Sequence, residues 1–205
     1  LLFSKEIDIL NNLLDKPKKP FTAIIGGAKV TDKIGVLDNL INIAENIIIG
    51  GGMASTFIYA QRLTLNNIGF NDKEIKKAKL LLTKSRELNV KIHLPKDVII
   101  GKDFNENTKF KNVKSTEIKK DELIMDIGHK SILEFQSILK SSKTILWNGP
   151  MGVFEWANFS NGTYKLANYL ANLNEITTVI GGGSTAEVFG KLNLQNSITH
   201  ISTGG

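Results

Sequence analysis

Short apolar runs alternate with longer stretches of helical period over the whole chain, and this rhythm limits the folds open to it. FTAII, NIIIG, VKIHL, LIMDI, TILW, TTVIG and ITHIS are continuous rather than alternating, as expected of strands buried on both faces. Between them lie amphipathic stretches. Phe3, Ile7, Leu10 and Leu14 share one helix face, Ala78, Leu81, Ser85 and Leu88 a second, and Ile132, Phe135 and Leu139 a third. Strands and helices in this order predict right-handed crossovers. The expected fold is α/β: a doubly wound, mainly parallel sheet with helices on both faces, a Rossmann-like three-layer domain. With 205 residues the chain suffices for one such domain, residues 1 to 205. Pro17 and Pro20 end the opening helix, and the polar stretch 101 to 122 reads as an irregular surface excursion.

Charge and composition narrow the function. The net charge is +6, yet only Arg62 and Arg86 are arginines and the lysines are dispersed, so no nucleic-acid patch is expected. Attraction of a small polyanion remains compatible with that balance. No cysteine is present, which suits a reducing cytoplasm. No apolar run is long enough for a membrane span, and the first twenty positions carry Lys5, Glu6, Asp8 and Asp15, unlike a signal peptide. Leu1 at the start and a glycine run at the end suggest a fragment.

What recurs is a glycine corner after a strand: IIGGAK, IIGGGMAS, LWNGPMG, VIGGGSTAE and, at the end, ISTGG. In an open parallel sheet these corners share the carboxyl edge, where ligands bind. Glycine admits close backbone approach, and a following helix N-terminus favours an anion. Neither the P-loop pattern nor G-x-G-x-x-G after the first strand is present. Lys29 and Lys33, four apart beside a helix start expected near Thr31, are disfavoured there by the dipole and by each other unless phosphates sit between them. The alternative is two solvated lysines. In WNGPMGVFEW, Glu155 is either a ribose acceptor or an acid beside a packed turn.

GGAKVTDKI, IIGGGMASTF, ILWNGPMGVFEW, IGGGSTAEVF and THISTGG, in this order, resemble phosphoglycerate kinase, and specifically its carboxy-terminal, nucleotide-binding lobe. The family exchanges a phosphoryl group between 1,3-bisphosphoglycerate and ADP. The resemblance implies that Lys29 approaches the transferring phosphoryl group and Lys33 grips the nucleotide phosphates, with Gly183 completing the catalytic set. It implies further that Gly27 and Ala28 line the phosphate turn, that Gly51 and Gly52 border the adenine, and that Gly128 lies beside the base. Asn148, Pro150 and Val153 match other nucleotide contacts, Glu155 the ribose carboxylate, and Gly182, Gly183, Ser184 and Thr185 a phosphate-binding turn. The implied cofactor is Mg²⁺ with ADP or ATP, the implied state a cytoplasmic monomer.

Departures from the pattern also carry expectations. Ser184 stands where the family usually has a magnesium-holding Asp, so weaker Mg-nucleotide binding is expected. His129 replaces a common Pro. The amino-terminal lobe, which handles 3-phosphoglycerate or 1,3-bisphosphoglycerate, and the last helix are missing, so the fragment alone is expected to be inactive. A non-catalytic nucleotide-binding module and a dinucleotide-dependent oxidoreductase are the competing classes. His93, His129 and His200 have no metal spacing, and His200 is expected to be a satisfied core residue. Asp97 follows a strand, with capping and function equally open.

Overall fold

The computed structural model describes residues 16–62, 72–119 and 121–202. The expected opening helix with Phe3, Ile7, Leu10 and Leu14 lies outside the described residues, as does the end of ISTGG. A six-stranded sheet is built from β1 (Phe21–Ile25), β2 (Asn46–Ile49), β3 (Lys91–His93), β7 (Thr144–Asn148), β8 (Thr177–Gly181) and β9 (His200–Ser202), in the order β3-β2-β1-β7-β8-β9. Every pairing in it is parallel. A three-stranded antiparallel annex, β5-β4-β6, comprises β4 (Asp97–Gly101), β5 (Phe110–Lys114) and β6 (Leu123–Ile127).

The unbroken apolar runs follow from there being a core on each side of the sheet. Successive strand residues point to opposite faces, so both parities must be apolar. Ala23, Ile25, Ile47, Ile49, Leu146 and Val179 enter one core, and Ile24, Ile48, Ile145, Trp147 and Ile180 the other. The first core is covered by α1 (Ile34–Leu40), α2 (Met53–Arg62) and α3 (Asp72–Glu87). The second is covered by α4 (His129–Lys140), α5 (Asn161–Ala171) and α6 (Gly183–Lys191). Each fully buried large side chain stabilises the fold by about 1.5–3 kcal/mol, whereas exposed ion pairs such as Lys19–Glu45 and Lys191–Glu187 contribute about 0–1 kcal/mol. The two cores therefore dominate.

Five expectations need correction. LIMDI is a strand, but of the annex: β6 pairs antiparallel with β4 and is absent from the main sheet. The stretch 101 to 122 is not wholly irregular, since β5 lies inside it. The helix expected near Thr31 starts only at Ile34, after a 3-10 turn over Val30–Asp32 that puts Lys29 in extended backbone. Leu88 lies past the end of α3 and is 47% exposed, and His200, on edge strand β9, is half-buried rather than in the core.

Asp97 is a cap supplied from a distance. Its carboxylate accepts the backbone N–H groups of Ser131 (2.8 Å) and Lys130 (3.2 Å), the Ser131 hydroxyl (2.8 Å) and the Asn112 amide (3.1 Å), closing the first turn of α4. Burial works against its charge, but these donors outweigh burial and hold its pKa below the usual 3.8. With the folded pKa depressed, the stabilisation is present above the unfolded pKa and is lost as pH falls through the folded one. Asp97→Ala is expected to cost about 1–3 kcal/mol at pH 7, read from denaturant midpoints. Its gap from the wild type should close as pH falls below 3.8.

Candidate functional site

The chain runs from β1 to β2 and β3 on one side, then returns through the annex to β7 on the other, so β1 and β7 flank the topological switch point. Their corners interlock. Gly26 N–H donates to Asn148 O (3.0 Å), Gly51 N–H to Met151 O (2.9 Å) and Met53 N–H to Gly27 O (3.1 Å). A Cβ on Gly26 would overlap the Pro150 carbonyl, and Gly149, at φ +93°, leaves no room for one against the Gly26 carbonyl. The β8 corner is tied in by Thr185, fully buried, whose hydroxyl accepts Gly149 N–H (2.8 Å), and α5 is tied in by Thr163, which accepts Met151 N–H (3.0 Å). The corners after β1, β2, β7 and β8 thus form one ridge.

Against this ridge opens a hollow of about 600 Å³. Gly27, Ala28, Gly51 and Gly52 give it a backbone wall, Pro150, Gly152, Val153 and Glu155 another, and Ser184 enters from the first turn of α6. Tyr59 of α2 with Phe104, Leu123, Ile124 and Met125 of the annex supply apolar and aromatic surface. Lys33 Nζ donates to Asn148 Oδ1 at 2.6 Å, spanning the β1 and β7 corners. Asn148 also abuts Gly181 and Gly182, and Gly182 at φ +87° opens α6. A flat apolar group carrying an anionic tail fits such a place: greasy walls, glycine backbone without side chains, one ammonium and a helix N-terminus.

Most of the expected residues meet here, though not all in the expected way. Gly27, Ala28, Gly51, Gly52, Pro150, Val153, Glu155 and Ser184 line the hollow. Lys33, Asn148 and Gly182 form the adjoining polar cluster, and Gly183 follows with open space beside its Cα. Lys29 is exposed at the start of the 3-10 turn, and Thr185 is buried as a tie between corners. Gly128 is elsewhere. Because β6 runs in the annex, its carboxyl end leaves the rim, and Gly128 packs on the Asp97 carboxylate. From the same strand it is Leu123, Ile124 and Met125 that reach the hollow.

Tyr59 of α2 escaped the sequence reading, and so did Phe104, Leu123, Ile124 and Met125, because nothing local announces an antiparallel annex folding over a parallel edge. One signal existed. Phe104 is a large aromatic in a polar stretch, 68% exposed, with its ring centroid 4.8 Å from that of Trp156. Among the described residues no cluster of three or more His, Cys, Asp or Glu is arranged to hold a metal.

Fold and site together define a class: a doubly wound α/β protein with a glycine-walled hollow at its switch point. The family profile described as phosphoglycerate kinase matches residues 1–205. The chain belongs to the phosphoglycerate kinase family. It is 45% identical over 204 residues to phosphoglycerate kinase of Enterococcus faecalis, covering all of this chain and 51% of that one. To that of Borreliella afzelii it is 42% identical, covering 100% and 52%. The structure of phosphoglycerate kinase from Coxiella burnetii superposes with a TM-score of 0.90 at 34% identity over 100% of this chain and 52% of that one. That from Pyrococcus horikoshii gives 0.75 at 29%, over 100% and 51%. The chain spans about half the length of the curated relatives it matches.

Gly51 makes the geometry testable. At φ +68° it packs against the Gly27 backbone, where a Cβ would have no space. Gly51→Ala is expected to lower stability by about 1–3 kcal/mol in thermal or denaturant unfolding. Gly35→Ala, with nothing within 4 Å of the added methyl, serves as the tolerated control.

Proposed function

We propose that the hollow takes Mg-ADP or Mg-ATP and that the chain furnishes the nucleotide side of phosphoryl exchange between 1,3-bisphosphoglycerate and ADP, giving 3-phosphoglycerate and ATP. One observation carries this reading: corners from four strands, Lys33 and the start of α6 converge beside an apolar slot of nucleotide size. The base lies between Gly51–Gly52 and the annex side chains, and Glu155 accepts from the ribose. The phosphates run toward Asn148, Lys33 and the N–H groups of Gly182, Gly183 and Ser184, with Lys29 nearest the group in transit.

A terminal oxygen of ADP attacks the phosphorus of the acyl phosphate, and the carboxylate leaves with the electron pair of the broken P–O bond. Such a reaction asks the protein mainly for alignment and charge compensation. Lysine ammoniums and helix-start N–H groups offer both. The residues fit a magnesium ion carried in on the phosphates rather than caged by protein, with the exposed Ser184 hydroxyl as a neutral oxygen ligand. Bound there, the ion supplies charge neutralisation of the phosphate oxygens. The acyl-phosphate substrate is met by the half of the relatives that lies beyond this chain, and a glycolytic, cytoplasmic role as a monomer belongs to the same reading.

Calorimetric titration with Mg-ADP, Mg-ATP and NAD tests it: the adenine nucleotides should bind and NAD should not. Lys33→Met is expected to weaken Mg-ADP about 10–100-fold, the effect of losing a charge-assisted phosphate contact. Ser184→Asp should tighten Mg-ADP about tenfold while weakening metal-free ADP, since the added carboxylate helps only through the ion.

A further inference from the structure

Asp126 is fully buried on β6, one residue beyond Met125 of the hollow. Its Oδ2 accepts the N–H of Gly162 at 2.7 Å, and its Oδ1 accepts the N–H of Ile127 at 2.8 Å. Gly162 lies in the first turn of α5, so the carboxylate faces the positive end of that helix. Its other neighbour is Gly152, in the wall of the hollow, where a Cβ would collide with Oδ1. The next residue, Val153, donates its N–H to Met125 O at 2.9 Å. Three elements therefore register on one carboxyl group: the annex strand, the wall after β7 and the start of α5.

We propose that Asp126 is a positioning residue for the hollow: its ionised carboxylate sets the Gly152–Val153 wall against the annex and thereby fixes the width of the slot that receives the base. This rests on the nucleotide reading above. Both oxygens accept an N–H, so a carboxylate satisfies the site, whereas a proton removes the charge and weakens the oxygen that carries it as an acceptor. The groups packed on it from the wall and α5, Gly152 and Gly162, and its ladder partner on β4, Ile99, carry no titratable side chain. Burial pushes its pKa up to about 7, against the opposing pull of the Gly162 and Ile127 N–H groups. The wall is thereby expected to loosen as pH falls through neutrality.

The test uses the intact kinase chain that contains this lobe. Mg-ADP affinity is measured from pH 6 to 8.5 for the wild type and Asp126→Asn, together with KM for ATP and kcat. At pH 8 the variant should bind about tenfold more weakly, the loss of about one hydrogen bond's worth of positioning, with kcat at saturating nucleotide within about twofold. The wild-type advantage should vanish toward pH 6, a convergence in which the ionisation of ADP itself cancels. Equal affinity of the two proteins at pH 8, or a ratio independent of pH, overturns the proposal. If Asp126→Asn does not fold, the amide resonances of Gly162 and Val153 in the wild type decide. Titration of both with one midpoint near 7 supports coupling, and a Val153 resonance blind to pH refutes it. Failure of wild type to bind Mg-ADP at any pH would remove the nucleotide reading as well, a result distinct from wild-type binding that the variant reproduces.

Discussion

Everything at the candidate site depends on the close approach of two backbones, the corner after β1 and the corner after β7. Gly26 and Gly149 pack against each other's carbonyl region with no room for a side chain, and the Gly26 N–H to Asn148 O bond extends the β1–β7 ladder past the end of the strands. A side chain on either residue would wedge the strands apart at the switch point, where a doubly wound sheet parts its two halves. Because the corners touch, the Asn148 side chain comes within reach of Lys33, and the β8 corner can hang on Gly149 through Thr185. The polar cluster is thus assembled by contact between main chains, and the side chains are placed as a consequence.

A rim of glycines alone would be a shallow shelf. The annex makes it a hollow by bringing Leu123, Ile124, Met125 and Phe104 over the shelf from a sheet with its own pairing. It is not an independent unit, since Val98, Ile100, Ile118 and Ile124 belong to the same core as the helices α1 to α3. Aromatic contacts add a second attachment: Phe104 meets Trp156, Trp156 meets Phe159, and Phe159 meets Phe110, at centroid separations of 4.8, 6.2 and 5.3 Å. Such pairs contribute about 0.5–1.5 kcal/mol each beyond burial when well packed. The wall after β7 and the annex are consequently joined on both their polar and their aromatic sides.

The parts of this arrangement legible in the sequence are those with a local cause. Continuous apolar strands signal two-sided burial, and Ile24 and Ile25 indeed enter opposite cores. Glycine after a strand signals a tight corner, and the shared edge follows from parallel topology alone. Lys33 reaches Asn148 at that edge even though its helix begins later than expected. The annex is opaque because strand direction is not encoded locally: LIMDI reads the same whether its neighbours run with it or against it, and Gly128, implied at the base only by the family resemblance, packs on Asp97 instead. Asp126 was opaque for a related reason. Its partners, Gly162 and Gly152, are distant in sequence, and a single acid inside an apolar run gives no hint of which N–H groups will meet it.

Asp97 and Asp126 are both buried carboxylates that receive N–H groups at helix starts, yet their pKa values move in opposite directions. Asp97 has four donors from Ser131, Lys130 and Asn112, enough to outweigh burial. Asp126 has two, and burial prevails. The linkage signs follow. Ionised Asp97 stabilises the fold at every pH above its unfolded value. For Asp126 the folded state holds a proton between 3.8 and about 7 that the unfolded chain has released, so stability falls as pH rises through that window. At neutral pH the charge on Asp126 thus costs folding free energy, while the same charge is what satisfies both N–H groups and keeps Gly152 seated. Asp97 caps a helix where donors are plentiful, whereas Asp126, between the wall and the annex, meets only two, and its raised pKa is the consequence of that location.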